Sequence, residues 1–397
     1  MEIQNPLPIG RTPEVKFNSV PGKRLLYIDN IRWLMIVFVV IIHLNCTYGN
    51  VGRWYYQETG PSDIFSVVLF SMFGSMTQSY FMGFLFFIAG FFVPGSCDKK
   101  GCGRFIGERL IRLGIPTLVY MLFLHPLTMA IIFANRLSLD ILSWYRQYLF
   151  SLEFIGASGP LWFALALLIF SVIYTLIRMI FPPSQPVKKG GKPTSLTHSR
   201  VIAIIAFISW VAFLIRLFQP IGTAVLNMQL CYFSQYIILF SLGIIAYRRD
   251  LLTHLPSQFG RFWFRLALYL GIPLWGLLMV FGRAATDWTP FTGGMHWQAM
   301  AYAIWESFFC IGVCLGLLVL FRDKYNTQGK LRRFFSENAF GVYVFHAPLL
   351  VYGTMLVRGM TIYPLIKMLL MTLVLLPVCF GFSYLLRRIS FMKKLFS

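Results

Sequence analysis

Ten apolar runs, each long enough to cross a bilayer, limit what this chain can become. They fall at 28–48, 64–93, 113–134, 161–181, 200–218, 231–247, 263–281, 299–321, 338–357 and 363–386. Backbone N–H and C=O groups inside hydrocarbon must be satisfied within the segment. Each run is therefore expected as an α-helix, and the whole as an all-α integral membrane bundle of about ten transmembrane helices. The residue balance agrees: 57% are hydrophobic and 12% charged, whereas a soluble domain carries about a quarter charged. A formal net charge of +21 raises the question of nucleic acid. Binding of that kind needs basic residues gathered on one soluble face. Here they lie in short clusters between apolar runs, so the partner expected is the lipid bilayer and no nucleic acid.

Those clusters carry the topology. Of the 35 lysines and arginines, 28 lie at the first end of the chain, after the second, fourth, sixth and eighth runs, or at the last end. The opposite side holds seven: Arg53, Arg136, Arg146, Arg216, Arg283, Arg358 and Lys367. By the positive-inside rule both termini are cytoplasmic, in a multi-pass protein of the plasma (inner) membrane. Residues 1–24 read as a polar cytosolic leader, 25–388 as the membrane domain and 389–397 as a basic cytosolic tail. Within the domain, "PPSQPVKKGGKPTSLTHS" at 182–199 reads as a flexible cytosolic linker, too poor in apolar residues to order itself. Cys97 and Cys102 face the reducing cytosol, where a disulfide is not expected. Two cysteines without further ligands make a weak metal site, and no metal is expected.

A charged side chain at the centre of a spanning helix costs roughly 2.5–3.5 kcal/mol on insertion scales. Yet the first run, "LLYIDNIRWLMIVFVVIIHLNC", carries Asp29, Arg32 and His43. Eleven residues at 100° each bring His43 back to within about 20° of Arg32, about 16 Å farther along the axis. Asp29, three residues before Arg32, shares that side. Each has an ordinary explanation alone: an ion pair anchored at the interface, or a histidine hydrogen-bonded to another helix. Three on one face point to a pathway through the bundle.

Other ionisable groups sit at membrane depth: His125 in "FLHPL", Glu306 in "IWESF" and His346 in "VYVFHAPLL". Where the third run begins, "GERLIRLGIP" puts Arg109 and Arg112 one turn apart, a fork suited to phosphate oxygens or an ordinary positive-inside pair. With the buried histidine farther along the bundle, the fork suits a long donor, phosphate-rich at one end and reactive at the other. The loops after the third and seventh runs, "LSWYRQYLFSLEFIGASG" and "RAATDWTPFTGGMHWQ", are rich in aromatics, as carbohydrate-binding surfaces and interfacial belts both are.

These segments resemble the acyltransferase-3 family of integral-membrane acyltransferases, from about Leu25 to about Arg388. "YIDNIRWLMIVFVVIIH" is similar to its first motif, Arg or Lys followed by ten residues and His, here Arg32 and His43. "FMGFLFFIAGFFVPGS" leading to "RLIRLGIP" is similar to its FF-x-x-[SA]-G-[FY] run followed by R-x-x-R-x-x-x-P, here Arg109, Arg112 and Pro116. "GPLWFALALL" matches its Leu-Trp-Phe segment and "NAFGVYVFHAPLL" its Tyr-x-x-His segment. The wording around Asp29, "RLGIP" and "ENAFGVYVFH" is similar to the subgroup of glucan biosynthesis protein C, implicated in succinylating periplasmic glucans. One departure stands out: relatives often have His before Leu-Trp-Phe, where this chain has Pro160.

The resemblance implies transfer of an acyl group, acetyl or succinyl, from cytosolic acyl-CoA to a hydroxyl of an extracytoplasmic carbohydrate or glycolipid. Acyl-CoA is then a donor substrate, with no permanently bound cofactor. A sugar hydroxyl needs a positioned base, and histidine titrates in the useful range. His43 is expected as that base; transient acylation of the same imidazole is the other route open. Arg32, Arg109 and Arg112 are expected on the CoA phosphates, with Asp29 holding Arg32. Glu306 is expected to orient His43 or contact the acceptor. His346 is expected either at the thioester oxyanion or in a structural hydrogen bond, and Trp162 and His296 at the acceptor. His125 is expected to be structural. A transporter or flippase for an anionic or glycolipid substrate is the alternative class. Such proteins often show repeats and broken helices; no repeat is visible, and Gly83 and Gly90 are spaced for close packing.

Overall fold

A computed structural model describes residues 24–133, 140–181 and 196–396. The expected leader, apart from Arg24, and most of the expected linker lie outside the described residues. Among the described residues, ten helices are long and apolar enough to span a membrane: α1 (Leu26–Gly49), α2 (Ile64–Lys100), α3 (Cys102–Phe133), α4 (Gly159–Ile180), α5 (His198–Arg216), α6 (Leu230–Arg248), α7 (Ser257–Phe281), α8 (Trp297–Lys324), α9 (Lys330–Leu356) and α10 (Pro364–Leu386). Each expected run is present. The bounds differ most where a helix outlasts its apolar stretch, as in α2 reaching Lys100, α3 starting at Cys102 and α9 at Lys330. Hydropathy marks only what crosses hydrocarbon, while Lys, Arg and Glu continue a helix readily into water.

Helix α1 is the hub. It packs on α2, α8, α9 and α10, and its apolar face is buried among them. Asn30 fixes its first turn by donating from Nδ2 to the carbonyls of Tyr325 and Thr327, at 2.7 and 3.0 Å, in the α8–α9 loop. The tightest pairing is α2 with α6. Gly90 rests against the carbonyl of Phe240 and Gly243 against that of Phe87, so a methyl group at either would overlap backbone. Gly83 faces Leu239 and Gln235 on the same seam.

Helix α3 is not uniform. Its turns Leu110–Gly114 and Tyr120–Leu124 are π-helical and precede Pro116 and Pro126. Proline has no N–H to return to the carbonyl four residues back. For Pro126 that carbonyl is Leu122, which accepts from Tyr145 Oη at 2.9 Å; Tyr148 Oη donates to Met121 at 2.5 Å. Both tyrosines lie on the amphipathic helix Ile141–Phe150, so two aromatics of an outer loop are committed to α3.

Candidate active site

His43 lies in the penultimate turn of α1, where the chain is about to leave the helix. Asn50 ends α1 in a left-handed conformation, φ 52°, and the loop that follows folds back. Gln57 Nε2 donates to the carbonyls of Cys46 and Gly52, at 3.2 and 3.1 Å, and Glu58 N–H donates to Thr47 O at 2.8 Å. The Glu58 carboxylate takes Lys367 Nζ on both oxygens at 2.8 Å. This loop presses the Trp54 indole face to face on His43, ring centroids 3.6 Å apart.

His346 arrives from α9 with its ring nearly parallel to His43 and centroids 5.2 Å apart. Trp54 is 6.2 Å from His346, so the two imidazoles lie side by side rather than in one column with the indole. His346 Nδ1 faces two carbonyls, Tyr343 at 2.8 Å and Val342 at 3.2 Å. Carbonyls only accept, so Nδ1 carries the proton and a neutral His346 keeps a lone pair on Nε2. That Nε2 and His43 Nδ1 are both buried without a hydrogen-bond partner. His43 Nε2 is not sealed in this way.

A cavity of about 720 Å³ opens beside His43. Trp54, Trp162, Tyr232, Tyr236, Trp288 and Tyr302 give it aromatic walls; Gln78, Asn227 and Gln229 supply polar groups. Among the described residues, Arg53 is the one formally charged member of the lining, and its Nη1 donates to Gly222 O at 2.9 Å. His125 is part of the wall: its Nδ1 is 2.8 Å from Tyr55 Oη, which is 3.1 Å from Tyr120 Oη. Burial pushes the Tyr55 phenol well above its ordinary range, so the hydroxyl keeps its proton. Pro160 also lines the cavity, and its carbonyl accepts from Tyr343 Oη at 2.6 Å.

At the other end of α1 Asp29 holds two arginines. Asp29 accepts from Arg32 Nη1 at 3.4 Å and from Arg24 Nε at 2.5 Å, the latter a partner that sequence spacing did not single out. Arg109 lies within electrostatic reach of Arg32 and Arg112, with its guanidinium 5.2 Å from the Phe105 ring centre. Glu108, the nearest acid in the chain, is paired with Lys100 and Arg104. Arg24, Arg32, Arg109 and Arg112 do not line the His43 cavity, whose α1 wall begins at Val39.

Two expected site residues lie elsewhere. Glu306 is brought to Arg216 at 2.5 Å, not to His43. This ion pair is buried between α5 and α8, with the guanidinium 5.5 and 5.9 Å from the ring centres of Tyr232 and Tyr302. A carboxylate in hydrocarbon needs a cation, and Arg216, read from the sequence as an outer-side charge, supplies it. His296 is exposed just before α8 and is not part of the cavity wall. Trp162 does line it, near Tyr236 at 5.6 Å between ring centres.

No curated protein and no solved structure matches this chain. The family comparison does: the acyltransferase domain of the acyltransferase-3 family matches residues 25–388. That span takes in the ten helices long and apolar enough to cross a membrane, together with Arg32, Arg109, Arg112 and the His43 cavity, and the chain therefore belongs to the acyltransferase-3 family and is a membrane acyltransferase.

Proposed function

We propose that the protein moves an acetyl or succinyl group from cytosolic acyl-CoA to a hydroxyl of an extracytoplasmic glycan or lipid-linked sugar. One observation carries this reading: a single helix, α1, brings Arg32 into a guanidinium cluster at one end and His43 into an aromatic-walled cavity at the other. In this reading both termini are cytoplasmic, in the plasma (inner) membrane, because 28 of the 35 basic residues lie on the side of the arginine cluster. Acyl-CoA comes and goes as a substrate, with no permanently bound cofactor. Succinyl follows from the wording shared with the glucan biosynthesis protein C subgroup. The acyltransferase family match leaves the transporter alternative without support.

Arg32, Arg109 and Arg112 hold the CoA phosphates, and Asp29, itself gripped by Arg24, orients Arg32. The pantetheine arm runs along α1 and carries only the thioester towards His43. That passage separates α1 from its neighbours at the buried Met35 and Ile36. His43 Nε2 takes the proton of the acceptor hydroxyl as its oxygen bonds to the acyl carbon. The C–S bond then breaks, the sulfur receives that proton from Nε2, and an ester and CoA leave. The structure leaves His43 Nδ1 and His346 Nε2 unbonded; a small approach of the two rings in the reacting complex gives His43 Nδ1–H to the lone pair of His346 Nε2 and keeps the basic atom facing the cavity. This replaces an oxyanion role for His346, whose one N–H in the neutral ring is engaged by carbonyls. Trp162 and its aromatic neighbours face the sugar ring, and the Tyr55–His125 pair bonds its further hydroxyls.

The test is binding and turnover of acetyl- and succinyl-CoA by detergent-purified protein. CoA release that vanishes in His43→Ala with binding kept, and binding lost in Arg109→Ala, supports the proposal. Stable wild-type protein that binds neither donor overturns it.

A further inference from the structure

A second cavity, of about 570 Å³, lies between the start of α9 and the end of α10. That is within the roughly 300–1,000 Å³ of small-molecule sites. It sits at the arginine-cluster end: Lys330, on its wall, precedes His346 by sixteen residues of α9, about 24 Å of helix. Among the described residues its wall holds Lys330, Arg333, Arg387, Arg388 and Lys393 and one carboxylate, Glu337. The positive-inside rule accounts for cations at this end of the bundle, but not for five of them enclosing one concavity, where like charges repel.

Glu337 is already shared. Its Oε1 accepts from Arg333 Nε at 2.7 Å, and its Oε2 is 3.6 Å from Arg387 Nη1. Arg387 Nε is buried with no acceptor. Arg388 lies over the Tyr384 ring, 5.0 Å from its centre, and donates from Nη2 to that phenol at 3.0 Å. Tyr384 and Phe334 add flat faces to the same wall, 5.6 Å apart between ring centres. The site thus combines guanidinium groups that outnumber the carboxylates among the described residues of its wall, which suits a phosphate, with rings on which a base can stack.

The cavity also adjoins the first arginine cluster. The short helix Ser390–Phe396, which supplies Lys393, packs against the π-helical turn Leu110–Gly114 carrying Arg112. Two neighbouring cationic sites call for one ligand with two separated phosphate groups. Coenzyme A has that form: a diphosphate towards the pantetheine arm and a lone 3′-phosphate on the ribose beside adenine.

We propose that this α9–α10 cavity binds the 3′-phosphoadenosine end of the acyl-CoA donor, with the 3′-phosphate on Arg387 and Arg388 and the diphosphate left to Arg32, Arg109 and Arg112. The proposal rests on acyl-CoA being the donor.

The test compares acetyl-CoA with 3′-dephospho-acetyl-CoA on full-length protein in nanodiscs, for wild type, Arg387→Gln and the exposed-site variant Arg388→Gln. Thermal melting and lipids retained in native mass spectra are recorded alongside. Loss of the 3′-phosphate is expected to raise the wild-type Kd about tenfold or more, as for a charge-assisted contact, and to change little in either variant. Equal discrimination in wild type and variants overturns the proposal while leaving acyl-CoA as donor. Loss of a retained anionic phospholipid in the variants, with discrimination unchanged, assigns the cavity to a lipid phosphate and also overturns it. Failure of wild type to bind either thioester overturns the donor reading itself.

Discussion

His43 and His346 come from helices at opposite ends of the sequence, yet their imidazoles lie side by side, nearly parallel, with centroids 5.2 Å apart. Each presents a buried nitrogen without a partner, Nδ1 on His43 and Nε2 on His346. If the pair acts as a unit, its members are not additive. His43→Ala is expected to lower CoA release about 10²- to 10⁴-fold, the usual worth of a positioned base. His346→Ala should lower it less, and the double variant no further than His43→Ala alone. Single-turnover assays check this; two losses that multiply would show that His346 acts apart from His43.

Arg32 and Arg109 should govern donor affinity. Losing one charge-assisted contact, about 1.5–3 kcal/mol, weakens binding about tenfold to 150-fold. Arg32→Gln and Arg109→Gln are expected to raise the acyl-CoA Kd in that range while leaving turnover at saturation within a few-fold of wild type. Isothermal titration with a non-hydrolysable thioether analogue separates the two effects. A fall in saturated turnover at unchanged affinity would move the arginines out of the donor site.

The Arg216–Glu306 pair gives a stability prediction with a sign reversal. Arg216→Met leaves a carboxylate buried without a cation, at about 3–5 kcal/mol. Arg216→Met combined with Glu306→Leu removes both charges and should recover most of that loss. Melting curves of purified protein read both; a double variant as unstable as Arg216→Met would show that the packing of the two side chains, not their charge, holds α5 to α8.

Gly90 and Gly243 should tolerate no side chain. A methyl group at either meets a carbonyl of the facing helix, which cannot move without parting α2 from α6. Gly90→Ala is expected to cost about 3 kcal/mol, the upper end for overpacking, and to lower the yield of folded protein. Gly276→Ala is the control: nothing lies within 4 Å of its added methyl. That change should be neutral or stabilising by up to about 1 kcal/mol. Monodisperse yield after extraction measures both.

Much of the candidate site's layout was legible in one helix. Arg32 and His43 are eleven residues apart, and helical periodicity alone puts them on one face with Asp29 beside them. Trp54 and Tyr55 were not legible: they lie in an irregular loop, and only the capping by Gln57 and Glu58 turns them onto His43 and His125. Glu306 was legible as costly, but not its partner. Arg216 closes a helix 90 residues earlier in the chain, where a basic residue reads as an ordinary outer-side charge.

The sequence by itself determined the ten apolar helices and the placing of Asp29, Arg32 and His43 on one face of α1. Those follow from local rules: a bilayer demands apolar length and internal hydrogen bonds, and a helix repeats every 3.6 residues. Tertiary structure alone decided which ionisable groups meet. It set His346 beside His43, gave Glu306 to Arg216, drew His125 into the cavity wall and gathered the basic ends of α9 and α10 around one hollow. A spacing rule reaches only along its own helix; between helices, contact depends on the packing of small and large side chains such as Gly90 against the Phe240 backbone, which sets each helix's height and rotation.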